Sequence, residues 1–359
     1  MCQYHNESWD LKMEERDSEV PLAVPPLTVG ILYNLKCGAA AAAPDAEAEF
    51  DSMDTVRAIQ SALEEGGART VLMEADASLP ERLKDARIDV AFNIAEGIGG
   101  RGREAQVPAL LALLGIPHTG SDETTLCLAL DKALTKRILA TYRVRMPRSV
   151  LVKCGETPRP GRLRYPVIVK PNAEGSSKGI SDASVAETPK ELRALLEKNF
   201  ALYGADMLVE EYIEGREFTV GLLGNDSSLQ VFEPMEIIYR RPTQGAYHVY
   251  SYPVKQNYRQ YVDYACPASL SDAQRGEMKN TARRVFQVLG CRDFARADFR
   301  LAEDGRLYFI EINPLPGLAP HYSDYPMLAE FCGVSHGDLV RAVLSAALAR
   351  CGIRREVSA

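Results

Sequence analysis

Along residues 27–119, short apolar runs alternate with segments whose apolar residues recur at helical spacing. LTVGILY at 27–33 has the length of a strand, and 51–65 puts Met53, Val56, Ile59 and Leu63 on one helical face before stopping at Gly66-Gly67. Residues 70–73 and 88–95 read as buried strands, and 104–114 as a helix ended by Gly115 and Pro117. Strands alternating with helices predict a parallel α/β sheet.

Beyond residue 119 the pattern changes. Residues 123–142 read as one helix carrying Asp131-Lys132, 148–152 as a strand, and PVIVK at 166–170 as a strand entering a Gly/Ser-rich loop at 172–179. A helix is predicted over 189–199, then strands over 207–213 and 217–223 joined by a turn at Glu214-Gly215. Residues 233–269, rich in Tyr and Pro with weak periodicity, predict a lid or an extended hairpin. An amphipathic helix follows at 271–289, N-capped by Ser271. Strands at 294–301 and 307–313 flank the turn 303–305, and two helices end the chain. The polar stretch before the Pro-rich link 21–26 has no apolar core of a secretory signal and is expected to be a disordered tail.

Composition narrows the class. The chain has 359 residues, 46% hydrophobic and 25% charged, which fits a globular protein of two or three domains. A net charge of −7, with no basic run longer than an Arg-Arg pair, argues against nucleic-acid and anionic-membrane partners. Eight scattered cysteines without a C-x-x-C pair indicate a reduced, cytoplasmic protein rather than a disulfide scaffold or zinc ribbon. No stretch reaches the roughly 18 apolar residues a membrane span needs.

Three motifs carry chemistry. Gly97-Ile98-Gly99-Gly100-Arg101-Gly102 satisfies G-x-G-x-x-G, with Asp122 about 20 residues further on, as in dinucleotide sites. Asp122 follows a turn and ends no strand, so the loop reads rather as a phosphate or substrate loop at a helix N-terminus. The loop 172–179 follows the strand-borne Lys170, and its small residues and the hydroxyls of Ser176 and Ser177 suit an anion. Arg296-Ala297-Asp298 and Glu311-Ile312-Asn313 lie on strands joined by a tight turn, which brings Asp298, Glu311 and Asn313 to one face. These hard oxygens suit Mg²⁺ bridged to phosphates, with Arg296 beside them for developing negative charge.

In order along the chain, these segments resemble the D-alanine–D-alanine ligase family of the ATP-grasp superfamily. The resemblance rests on His118-Thr119-Gly120-Ser121, Leu130-Asp131-Lys132, residues 167–179 and Leu208-Val209-Glu210-Glu211-Tyr212-Ile213. It continues through Gly215, Glu217-Phe218-Thr219-Val220, Cys266-Pro267-Ala268, residues 296–299 and the EINPLPG run at 311–317. It implies a pre-grasp α/β domain (27–119) behind a 1–26 tail, a central ATP-grasp lobe (120–206) and a C-terminal lobe (207–352), with nucleotide between the lobes. It implies that Lys132, Lys170, Ser176 and Ser177 contact ATP phosphates, that Glu210, Glu211 and Ile213 meet the adenine, and that Glu217 meets the ribose. Asp298, Glu311 and Asn313 then hold two Mg²⁺, for which Mn²⁺ can substitute, and Asn313 also faces ATP. Arg296, Ser176, Gly317 and the lid residue Lys255 surround the reacting centres. The implied reaction joins small amino-acid substrates through an acyl phosphate, with ADP and phosphate released, in a homodimeric cytoplasmic enzyme.

The sequence departs from that family at substrate positions. The N-terminal Glu-Val-Ser that anchors the first ammonium has only Glu47 or Glu49 to stand for it, and the HG pair reads Glu96-Gly97. The residue after Lys255 is Gln256, and the loop after Gly317 reads Leu318-Ala319-Pro320-His321-Tyr322-Ser323. Two readings follow: D-alanine–D-alanine ligation itself, or a relative joining other amino acids or a natural-product acid. A catalytically silent nucleotide-binding protein is the reading from another class, against which Arg296 and the complete acidic triad argue.

Overall fold

The computed structural model describes residues 25–38, 47–156, 161, 163–175, 184–240 and 247–355. The calls at Ser176 and Ser177 and the tail before residue 25 lie outside them.

The first unit is the expected parallel sheet. Thr28–Tyr33 lies between Arg69–Glu74 and Val90–Asn93, paired parallel to both. The helix Met53–Glu65 starts at Ser52, whose hydroxyl accepts from Thr55 N, and buries Val56, Ile59 and Leu63. It also packs on the last helix, His336–Arg350, where an Arg341 guanidinium nitrogen donates to Ala62 O at 3.3 Å. One apolar cluster, running from Val29 and Ile31 through Phe294 and Tyr325 to Leu344, joins the two ends of the chain.

The single helix predicted over 123–142 is two helices, Glu123–Leu130 and Lys132–Thr141. Asp131 breaks it with extended backbone, and its carboxylate caps the second helix by accepting from Leu134 N at 3.0 Å. The break has a function in the fold. Asn172, just past the strand Val167–Pro171, accepts from Lys132 N at 3.1 Å and donates to Asp131 Oδ1 at 2.8 Å. The Asp131-Lys132 pair is thereby fixed to the end of the strand that carries Lys170. Asp122, the ribose candidate, caps Glu123–Leu130 and pairs with Arg292 at 2.7 Å, so it is structural.

Two antiparallel sheets complete the molecule. One has the order Ser149–Val152, Met207–Glu211, Val167–Pro171, Val185–Ala186. The other runs Val262–Ala265, Met235–Tyr239, Gly215–Leu223, Phe294–Ala302, Leu307–Asn313, with Gln230–Val231 beside Gly215–Leu223. The strands flanking Glu214-Gly215 therefore belong to different sheets, and the turn carries the chain from one to the other. The 233–269 segment is a hairpin with an insertion: Met235–Tyr239 pairs with Val262–Ala265, and the short helices Tyr252–Gln256 and Tyr258–Tyr261 lie between them.

Alternation explains the large sheet. Ala295, Ala297, Phe299 and Leu301 face the core with Phe218, Val220 and Leu222, against the helix Asp272–Leu289. Arg296, Asp298 and Arg300 consequently face the other way. In the neighbouring strand a bulge intervenes: Asp298 pairs with Glu311, but Phe299 pairs with Phe309, leaving Ile310 as the extra residue. Without it, Glu311 and Asn313 would share the face of Leu307 and Phe309, which lies in the core. With it, Ile312 enters the core and both polar side chains turn outward.

Candidate active site

A cavity lies between the two antiparallel sheets, lined by Ile168, Lys170, Glu210 and Ile213 on one side and Glu217, Asp298, Arg300 and Glu311 on the other. Val249, Tyr250 and Lys255 of the hairpin insertion also line it. Strand register sets the floor, with Glu217 opposite Arg300, Thr219 opposite Asp298, Asp298 opposite Glu311 and Arg296 opposite Asn313. Four cross-strand pairs thus fall on one face.

Glu210 is the most enclosed charge, with Lys136 Nζ at 2.6 Å from one oxygen and Lys170 Nζ at 2.9 Å from the other. Burial alone would raise its pKa, but the two ammonium groups outweigh burial and hold it down to about 2. Burial opposes the charge of Lys170 too, yet Glu210 and Glu311 lift its pKa above the ordinary lysine value. For Lys136 burial wins and the pKa is lowered. Lys132 and Lys170, from different elements, each stand 3.8 Å from the same oxygen of Glu311. Glu311 is held below the ordinary carboxylate range because these lysines and Arg296 outweigh its burial.

Arg296 grips Asp298 through two parallel hydrogen bonds of 3.0 and 2.9 Å and reaches Asp324 at 3.4 Å. Thr219 Oγ1 donates to Asp298 at 2.7 Å. Asp324 is buried, accepts from the Tyr250 hydroxyl at 3.0 Å, and lies near Lys255, whose pKa burial lowers. At the far end, Arg300 donates to Glu217 at 2.7 Å and to the Ile213 carbonyl at 3.0 Å, and Tyr239 OH donates to Glu217 at 2.8 Å. Glu211 is half-buried and accepts from Arg164 N at 3.0 Å.

Asp298, Glu311 and Asn313 offer hard oxygen donors on one face beside two lysines, a set that fits Mg²⁺ carrying phosphate. Glu311 opens into both the cavity between the sheets and a second one behind it, lined by Glu49, Glu96, Glu104, Lys132 and Asn313. Of the two N-terminal glutamates named as ammonium anchors, only Glu49 reaches this place. Glu47 instead accepts from the amides of Cys37 and Gly38 at 3.2 and 3.0 Å, so it braces a loop. Ser323 is buried, and its Oγ accepts from Ala319 N at 3.3 Å. A side-chain carbon on Gly317 would lie 2.8 Å from that oxygen, which places the two residues against each other. Gln256 and Tyr322 line neither cavity.

Sequence reasoning missed Thr219, Arg300, Lys136, Arg103, Glu104 and Asp324. Thr219 and Arg300 carry a readable signal, the alternation with Glu217 and with Arg296 and Asp298. Lys136 sits one helical turn beyond Lys132.

Comparison with known proteins agrees with the geometry. The chain has the fold of an ATP-grasp ligase: it superposes on a D-alanine–D-alanine ligase from Bacillus anthracis complexed with ATP with a TM-score of 0.70 at 21% identity, over 90% of this chain and 98% of that one. A family model for the D-Ala–D-Ala ligase C-terminus matches residues 156–345. A D-alanine–D-alanine ligase of Cupriavidus metallidurans is 36% identical over 251 residues, 69% of this chain and 73% of its own length. An uncharacterized protein y4sG of Sinorhizobium fredii is 32% identical over 297 residues, 80% of this chain and 86% of its own. The Vancomycin B-type resistance protein VanB of Enterococcus faecalis is 31% identical over 264 residues, 74% of each chain. The chain belongs to the D-alanine–D-alanine ligase family.

Proposed function

We propose that this chain is an ATP-dependent carboxylate–amine ligase that forms a dipeptide-like bond. The observation that carries the reading is the convergence of Lys132 and Lys170 on Glu311, in a cleft closed below by the Arg296–Asp298 pair. Three sheets support a pre-grasp domain and two grasp lobes, but Met207–Glu211 pairs with Ser149–Val152 and Val167–Pro171, so the central lobe runs past 206 and the division falls at Glu214-Gly215.

In this reading the first substrate's carboxylate attacks the γ-phosphorus of ATP, the bond to ADP breaks, and an acyl phosphate forms. The second substrate's amine then attacks the acyl carbon, phosphate leaves, and a proton is lost from nitrogen. Lys132 and Lys170 hold the phosphates, Glu210 and the Ile213 backbone meet the base, and Glu217 meets the ribose. Asp298, Glu311 and Asn313 hold Mg²⁺, which when bound offsets phosphate charge. Arg296 and the Gly317 amide face the negative charge that develops at the acyl centre, and Lys255 closes the cleft from above. Lys170 leaves Glu210 in part for a phosphate oxygen, and Lys136 keeps Glu210 paired as it does so.

Chromatography of the spent nucleotide tests the reaction class. ADP with free phosphate is expected, whereas AMP with pyrophosphate would mean adenylation and overturn the mechanism. A second reading, ligation of acids other than D-alanine, is favoured by one specific observation: Glu96 lines the substrate-side cavity where the family carries the histidine of its HG pair.

A further inference from the structure

The cavity behind Glu311 is bounded by Glu49, Glu96 and Glu104, and one carboxylate oxygen from each lies within 4.8 Å of the other two. Their charge state is unequal. Arg103 binds Glu49 through Nε at 3.1 Å and Nη2 at 2.5 Å, and the same Nη2 lies 3.2 Å from Glu174. That guanidinium is fully committed. Glu104 has no such support: only 7% of it is exposed, its carboxylate borders the cavity, and it makes no hydrogen bond or ion pair with any described residue. Glu96, half-buried beside it, makes none either. Glu104 thus faces three further carboxyl groups, Glu49, Glu96 and Glu174, but only two cations, Arg103 and Lys132, and Lys132 also faces Glu311, so positive charge falls short by at least two.

An unpaired buried carboxylate is costly, and native proteins retain one where a ligand completes it. An ammonium group accepted by three oxygens at about 2.8 Å holds them roughly 4.6 Å apart, which three oxygens lying within 4.8 Å of one another can accommodate. The α-ammonium of an ordinary amino acid supplies one positive charge. A second is still missing.

We propose that the first substrate, the one that forms the acyl phosphate, is an amino acid with a cationic side chain, its two ammonium groups held by Glu96, Glu104 and Glu49 while its carboxylate lies toward Glu311 and Asn313. This rests on the ligase reading and specifies its substrate class. Burial and the neighbouring Glu49 push the Glu104 carboxyl up to about 8, so the empty cage carries protons that a dication displaces. The groups facing Glu104 are Glu49, Glu96 and Glu174 of like charge and Arg103 and Lys132 of opposite charge.

The test separates binding from turnover. Calorimetry of the full chain, with Mg²⁺ and a non-hydrolysable ATP analogue, compares both enantiomers of lysine and ornithine with norleucine and norvaline, which lack the side-chain amine. The expected result is about a hundredfold tighter binding of one dibasic acid, with protons released to buffer, and loss of that preference in Glu104→Gln and in Glu96→Gln. Equal binding of dibasic and neutral acids, or a preference that survives both substitutions, overturns the proposal. A divalent metal that binds the cage on its own, at the expense of the amino acid, overturns it too. Dibasic binding without ADP formation would uphold the cage and reject the ligase reading, so the two failures are distinguishable.

Discussion

Glu210 and Glu104 are both buried glutamates lining the two cavities that Glu311 joins, yet one stands between two lysines and the other has no partner among the described residues. The cavity between the two antiparallel sheets is electrically closed. Glu210 has Lys136 and Lys170, Glu217 has Arg300, and Arg296 has Asp298 and Asp324. The cavity behind it is electrically open. A polyanion entering the first finds cations already oriented by carboxylates, so binding exchanges partners and leaves few bare charges. In the second, charge is left for the ligand to complete. The first arrangement suits a shared cosubstrate, and the second suits discrimination among substrates.

Glu311 lines both cavities, so its loss breaks the comparison most severely. Glu311→Gln keeps the shape and removes one charge from the place where phosphate and carboxylate meet. Ligase turnover should fall by about 10²–10³-fold or more. The fold should persist, because Lys170 keeps Glu210, Arg296 keeps Asp298, and the two lysines stand 3.8 Å from a Glu311 side chain that is partly exposed. Phosphate release and a thermal melt measured together check this, and near-normal turnover would sink the metal assignment.

The closed cavity should be fragile in the opposite way. Lys136→Met leaves Glu210 buried with Lys170 alone, and should destabilise the chain by about 2–3 kcal/mol, below the usual loss for a broken buried pair because one partner remains. Adding Glu210→Gln should recover much of that in urea unfolding. If the double variant is as unstable as the sum of the singles, the lysine stabilises through its packed stem and the ion pair contributes little.

Much of this contrast was legible in the residues. The alternation in FARADFRLA puts three polar side chains on one face, and Asp131-Lys132, Lys170 and Glu311 emerge as the phosphate end from their order along the chain. What was not legible depends on events invisible to periodicity. Strict alternation over 307–313 places Glu311 with Phe309, and only the bulge at Ile310 separates them. The predicted 123–142 helix ignored the Asp131 break because the partner that rewards it, Asn172, lies 41 residues away. Glu104 reads as an ordinary helix start, since nothing local says that Arg103 beside it meets Glu49 while Glu104 has no partner among the described residues.

The open cavity also has a pH signature. The Glu104 carboxyl is raised from the ordinary glutamate range to about 8, mainly by burial and then by Glu49, so the folded state holds a proton that the unfolded chain releases. Asp51, raised to about 7 by burial, does the same. Stability of the ligand-free protein should therefore fall as pH rises from about 4.5 toward 8, the window between the unfolded and folded values. Glu104→Gln should flatten this fall without abolishing it, because Asp51 and Glu96 remain, and should raise the melting temperature near pH 8 by about 3–6 °C. A Glu104→Gln profile parallel to wild type would mean that the carboxyl is solvated.

The smallest expected effect lies at the donor side, where the family serine has Ser323 as its nearest counterpart. Its hydroxyl accepts from Ala319 N and abuts Gly317, so it has a local partner and one free lone pair. Two roles compete: propping the loop, or meeting the second substrate's carboxylate. Ser323→Ala removes one hydrogen bond, a loss of about 1 kcal/mol and roughly fivefold. If Ser323 meets the substrate, that loss should fall on the KM of the amine donor, with kcat and the KM of ATP unchanged. If it only props the loop, Gly317 shifts with it, and kcat drops for every donor tested. D-alanine is expected to be a poor donor in either case, because Pro320 has no amide to offer. Side-by-side kcat/KM values for the donor position, in wild type and Ser323→Ala, separate the roles, and D-alanine outperforming all other donors would show that the altered loop still forms the family pocket.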